Sequence, residues 1–160
     1  MMPIEIPIEQ MIQGSLEWIA ARLGIPTASK ASNIVTPGSK LVQPQVRQKY
    51  LEDLAAETIS GIPTPQYVGW EMREAAAMED DSRNIYAMEH EVYVRQVALV
   101  YKDERRLYSC SPDGLIDPKG GFETKGTVYG RIQRERLKNP GTPREHIPQV
   151  QSSLYITERE

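Results

Sequence analysis

Apolar and polar positions change period along this chain, dividing it into a helical first half, a strand-forming middle and a helical end. "SLEWIAARL" (15–23) reads as a helix, with Ser15 at its N-cap and Gly24 at its end. "TASKASNIV" opens a second, short helix, with Thr27 or Ser29 near its start. "PQVRQKYLEDLAAETISG" is the clearest helix: Pro44 suits the first turn, Val46, Tyr50, Leu54 and Ile59 approximate one face, and Gly61 stops it. Residues 62–69, with two prolines, predict a loop, and 70–88 a single long helix with crowded acids.

The period then shortens. "VYVRQVALVY" (92–101) is β-branched, aromatic and partly alternating, which predicts a strand. "RLYSC" and "DGLI" supply a second extended stretch, interrupted by Pro112. "DPKGG" is a turn by composition, and "FETKGTV" the returning strand. Helix resumes from about Tyr129 to Lys138 and again in "REHIPQVQSSLYIT", with Ile147, Val150 and Leu154 along one side. Helices, then strands, then helices predict an α+β fold or an α/β/α layering, in one domain spanning 1–160.

Composition narrows the chemistry. Hydrophobic residues at 39% and charged residues at 26% are ordinary for a globular chain with a real core. The N-terminal "MMPIEIPIEQ" has no long apolar stretch, and no run is long enough for a bilayer, so the expectation is no signal peptide, no membrane and a cytoplasmic location. One cysteine, Cys110, excludes an internal disulfide, and two histidines leave little for a zinc site. A metal would therefore rest on carboxylates, which suit magnesium, manganese or calcium. The net charge of −3 argues against general nucleic-acid coating, but residues 125–144 hold six basic side chains and one acid. That stretch fits a local DNA patch or a solvated helix face.

"SPDGLIDPKGGFETKG" (111–126) concentrates the candidate chemistry. With a turn centred near Lys119, Asp113 falls opposite Lys125, and Glu123 lies diagonal to it on the same face. Two carboxylates at a strand end can hold a hard cation, which polarises a phosphodiester and acidifies a bound water. A lysine beside them can orient that water and offset charge in the transition state. Gly114 leaves room for close approach, and Leu115, Ile116 and Phe122 would anchor both strands. On these residues alone, an exposed charged hairpin remains the competing reading.

Four segments together carry a resemblance. "SPDG…FETK" is similar to the Asp…Glu-x-Lys signature of the PD-(D/E)XK nuclease superfamily. "GSLEWIAARLGIPTAS" (14–29), "MREAAAMEDDSRNIY" (72–86) and "HIPQVQSSLYIT" (146–157) resemble further motifs of the YqaJ-type viral recombinases, which include the lambda-type phage exonuclease. The resemblance implies a restriction-endonuclease-like core, a central mixed sheet flanked by helices. It implies that Asp113, Glu123, Glu79 and the Thr124 carbonyl hold magnesium, or manganese, as two ions. Lys125 and Gln149 complete the catalytic set. Arg22, Thr27 and Ser29 receive a DNA 5′-phosphate, and Gln151 and Arg131 contact DNA.

The activity so implied is a 5′→3′ exonuclease on linear double-stranded DNA ends, releasing 5′-phosphorylated nucleotides and leaving 3′ single strands for phage-type recombination. A single-strand annealing protein is the implied partner, and a homotrimer the family's assembly. An endonuclease, a flap nuclease and a non-catalytic DNA-end-binding remnant are the alternatives. The sequence departs from the family at Ala75 and Ser82, which leaves the helical register around Glu79 open by a turn. Family members also continue beyond the last helix, so the chain reads as compact or truncated. Trp18 and Trp70 are read as packing, and His90, His146 and Cys110 receive no role.

Overall fold

The computed structural model describes residues 2–65 and 69–160; of the expected 62–69 loop, 66–68 lie outside the described residues. The strands are β1 (Ile4–Pro7), β2 (Val97–Tyr101), β3 (Ser109–Cys110), β4 (Gly114–Ile116) and β5 (Gly120–Phe122). The helices are α1 (Leu16–Ala20), α2 (Pro44–Ser60), α3 (Trp70–Ala77), α4 (Glu79–Glu89), α5 (Gly130–Lys138) and α6 (Ile147–Thr157), with 3₁₀ turns at Ala28–Asn33 and Arg144–His146.

β2 is the buried centre: all five of its residues lie in the core, with β1 antiparallel on one side and β3 on the other. β4 and β5 form a separate antiparallel hairpin. Reciprocal backbone hydrogen bonds of 2.8 Å between Arg95 and Leu115 join that hairpin to the segment leading into β2. Pairing between the named strands is antiparallel throughout, and among the described residues the parallel component of the expected mixed sheet is a single bridge, Thr27 to Ser109. β1 was not expected, because Pro3 and Pro7 punctuate it. An edge position tolerates them, since there one side of the strand needs no ladder partner. Ala28, Val97, Val100, Cys110, Leu115 and Ile156 make the core cluster, so α6 and the first 3₁₀ turn close over the sheet.

The helices differ from expectation in instructive places. Ser15 caps α1 through Trp18 N–H at 3.2 Å, but the helix stops at Ala20 and the chain turns to Gly24. Gly24 has φ +67° and sits where a Cβ would lie 2.0 Å from Thr58 Oγ1, so the turn after α1 meets α2 in a backbone conformation and a space that suit glycine. α2 buries little: Tyr50 and Leu54 are half-buried, while Val46 and Ile59 are exposed, contrary to the expected face. The expected 70–88 helix is two helices that meet at Met78. Glu79, Asp80 and Asp81 fill the first turn of α4, where the positive end of a new helix dipole stabilises them.

The returning strand is shorter than expected, and its register differs. Gly114 pairs with Phe122, Leu115 with Gly121 and Ile116 with Gly120, about a turn containing a cis Asp117–Pro118 bond. Continuing that register sets Asp113 opposite Glu123, not Lys125. The offset of two keeps the same face, so the three side chains still gather. β5 ends because the Thr124 amide donates to Asp113 Oδ2 at 2.7 Å instead of continuing the ladder.

Candidate active site

The mouth of the β4–β5 hairpin carries the acids. Asp113 immediately precedes β4, and Glu123, Thr124 and Lys125 immediately follow β5. Leu115, 1% exposed, anchors the hairpin in the core, while Ile116 and Phe122 are half-buried. The room at Gly114 serves packing: a Cβ there would lie 2.3 Å from Val94 Cγ1. Gly126 likewise meets α3, where a Cβ would fall 3.3 Å from Ala75 Cα. That contact and a Tyr86–Phe122 ring contact at 5.1 Å dock the α3–α4 pair on the hairpin and set its register. Glu79 is the acid delivered to the site. Glu74 is exposed, and Asp80 is turned to Arg83 at 2.7 Å.

Lys125 Nζ and Gln149 Nε2 both donate to Glu123 Oε1, each at 2.6 Å. The first contact joins residues two apart in the segment that leaves β5, and the second comes from α6. Burial pushes the Asp113 carboxyl up, with the Thr124 amide and Lys125 pulling back. Burial also raises Glu123 and Glu79, and in both the charge of Asp113 adds to it. The three acids therefore form one coupled negative cluster. Among the described residues no three His, Cys, Asp or Glu side chains are close enough to hold an ion in this arrangement. Their chemistry nevertheless suits a hard divalent cation, because half-buried carboxylates that repel one another gain most from one.

Arg22 lies in a second region, a cavity of about 470 Å3 whose walls include Trp18, Thr27, Lys30, Tyr50 and Glu57. Its guanidinium stacks on Trp18, 3.7 Å from the ring centroid, and its buried Nε has no hydrogen-bond partner. Burial lowers the pKa of Arg22, and Tyr50, Glu57 and Cys110 only partly compensate. Glu57 is committed elsewhere. Burial opposes its charge, but the Thr64 amide at 2.9 Å and the Gly24 amide at 3.1 Å outweigh it and hold the carboxyl below its usual value. The Thr27 amide donates to the Tyr50 hydroxyl at 3.3 Å, and the Thr27 and Ser29 hydroxyls are 3.2 Å apart.

Thus Glu79, Asp113, Glu123, Thr124, Lys125 and Gln149 are brought together, and Arg22 and Thr27 share the cavity with Ser29 at its edge. Two candidates fall outside both groups. Gln151 lines a smaller cleft of about 170 Å3 with Val35 and Tyr155, because two residues along a helix turn it well away from Gln149. Arg131 is exposed on α5. Arg136, on the same helix, donates to the Lys125 carbonyl. Trp18 does more than pack: its Nε1 donates to the Ala98 carbonyl at 3.1 Å and to Ser111 Oγ at 3.0 Å. Arg83 was missed altogether. It is 8% exposed and donates from Nε to the Asp113 carbonyl at 2.9 Å, and its spacing of four from Glu79 was the available signal.

The acidic hairpin, its paired lysine and the flanking helices agree with the resemblance to PD-(D/E)XK nucleases drawn from the sequence. The chain belongs to the YqaJ-like viral recombinase domain family, whose sequence model matches residues 17–160. Among solved structures it is similar to an alkaline exonuclease (LHK-Exo) from Laribacter hongkongensis, with a TM-score of 0.77 and 27% identity over 91% of this chain and 70% of that one. The same exonuclease in complex with dAMP gives a TM-score of 0.76 at 27% identity, again over 91% and 70% of the two chains. No curated protein sequence matches. Among the described residues, no helix is long and apolar enough to cross a membrane.

Proposed function

We propose that the protein is a magnesium-dependent 5′→3′ exonuclease that degrades linear double-stranded DNA and releases 5′-phosphorylated nucleotides. Family membership and likeness to an alkaline exonuclease support the coarser part, a nuclease of the phage recombinase type. The finer reading rests on one observation above all: Glu123, opposite Asp113, is gripped by both Lys125 and Gln149. Glu79, Asp113 and Glu123, with the Thr124 carbonyl, would hold magnesium or manganese. Such ions polarise the scissile phosphate and acidify a water when bound.

The chain's own groups do the rest. Lys125 orients the attacking water and offsets negative charge developing on the phosphoryl oxygens. Gln149 fixes the Glu123 carboxylate through Oε1, so that it need not reorganise during the reaction. Arg22, with its unpaired Nε, and Thr27 and Ser29 beside it accept the terminal 5′-phosphate, for which a guanidinium offers a charge-assisted, two-pronged grip. Arg131 and Gln151 contact the DNA backbone at the margins. The 3′ strand left behind passes to a single-strand annealing protein.

The test is digestion with magnesium of linear duplex labelled at the 5′ or the 3′ end, beside a closed circle. Early release of the 5′ label as mononucleotide, with the circle intact, is the expected result. Cutting of the circle would replace the reading with an endonuclease. Absence of product from folded protein would replace it with a DNA-end-binding module.

A further inference from the structure

Arg83 has a buried guanidinium, and three different elements hold it. Its Nε donates to the main-chain carbonyl of Asp113, at the mouth of the hairpin, at 2.9 Å. Its Nη1 pairs with Asp80 Oδ1 at 2.7 Å, on its own helix. The Gln96 amide, oriented with its oxygen inward, accepts from Nη1 at 2.7 Å and Nη2 at 3.0 Å, from the segment leading into β2. Arg83 also lies one helical turn after Glu79, on the same face of α4. One side chain thus ties the helix bearing Glu79 to the residue bearing the Asp113 carboxylate.

We propose that Arg83 is a positioning residue: it fixes the separation of Glu79 from Asp113 and so gives the carboxylate cluster its affinity for a divalent cation. The inference rests on the catalytic reading above. The Tyr86–Phe122 ring contact between α4 and the hairpin is apolar and sets no hydrogen-bond direction. The Arg83 fork has one, because three acceptors on three elements leave the guanidinium a single orientation. Partners that orient ligating residues typically govern metal affinity by about 10–100-fold, and Arg83 acts here through the Asp113 main chain.

A simple electrostatic role predicts the opposite sign. A fixed positive charge beside a cation site repels the cation, so removing it would tighten binding. Positioning predicts that removal weakens binding, and lysine, which keeps the charge without the fork, does not restore it. The Arg83 charge reaches both Glu79 and Asp113, so the lysine variant, which keeps the charge and loses the fork, separates the two roles.

The experiment measures Mn2+ binding calorimetrically on the full chain without DNA. It compares the wild type with Arg83→Gln, Arg83→Lys and Asp113→Asn, each first checked by circular dichroism and thermal unfolding in chelator. Arg83→Gln and Arg83→Lys are expected to bind Mn2+ at least about tenfold more weakly. At saturating Mn2+, a lowered kcat is expected with an unchanged KM for DNA. Affinity equal to the wild type, or tighter, in folded Arg83→Gln would overturn the proposal, as would full rescue by lysine. Should Arg83→Gln fail to fold, Gln96→Leu decides instead, because it releases the fork while keeping the arginine. Several-fold weaker binding is then expected, and unchanged binding overturns the proposal. Wild-type binding that survives Asp113→Asn would fault the catalytic reading itself and not Arg83.

Discussion

At the hairpin mouth three carboxylates are crowded together and each has a donor or a cation acting on it, whereas in the cavity a single guanidinium rests on Trp18 with its Nε unpaired. Both regions hold charge away from water, but the hairpin gathers carboxylates, whereas the cavity walls mix Arg22 and Lys30 with Asp53 and Glu57. The acids repel one another, and burial has raised all three. Glu57 accepts from the Gly24 and Thr64 amides and acts on the guanidinium only through its charge, without a hydrogen bond to Nε. A crowded negative centre calls for a cation, and an unsatisfied buried donor calls for an acceptor. A duplex end with its 5′-phosphate, together with magnesium, would answer both.

Breaking the two regions separately should therefore give different signatures. The largest expected effect is at the hairpin: Lys125→Ala should lower kcat for mononucleotide release by about 10²–10⁴-fold while end binding survives. Arg22→Gln should lower kcat/KM on 5′-phosphorylated duplex by about 10–100-fold, the worth of a charge-assisted hydrogen bond or two, and by less on 5′-hydroxyl ends. Comparing the two end chemistries in one kinetic series checks this. Gln149→Leu removes one of two donors to Glu123 Oε1 and leaves Lys125 in place, so a loss of about tenfold in kcat is expected. The smallest effect concerns Cys110, buried at 2% exposure and under the influence of both Glu123 and Arg22. Burial, with Glu123 adding to it, pushes the thiol up to about 12. At pH 8 the native protein should resist iodoacetamide, and the unfolded chain should react; mass spectrometry reads the difference.

Much of the site was legible because it depends on local rules. Alternation predicted Glu123 and Lys125 on one face, and their side chains do meet at 2.6 Å, although both lie just past the end of β5. Ser15 and Gly24 marked the bounds of the first helical segment by side-chain capping and left-handed backbone, although α1 itself stops earlier. What was illegible depends on long-range partners. The hairpin register turns on how the Thr124 amide finds Asp113, which no spacing rule contains. The break at Met78 and the docking of Ala75 on Gly126 come from α3 and α4 meeting a hairpin some forty residues later in the chain. Arg83 looked like one more charge in an acid-rich helix, since its partners lie at Gln96 and Asp113. β1 was hidden by its prolines, which matter less at an edge than in the middle of a sheet.

The central claim is that the β4–β5 hairpin is the catalytic centre and the Arg22 cavity the anchor for the DNA end. The most direct test pairs Asp113→Asn with the wild type on 5′-phosphorylated linear duplex in magnesium, reading mononucleotide release and end binding together. The expected result is a folded variant that binds ends as the wild type does and releases no nucleotide. Undiminished release from that variant would contradict the account and move the chemistry away from the hairpin.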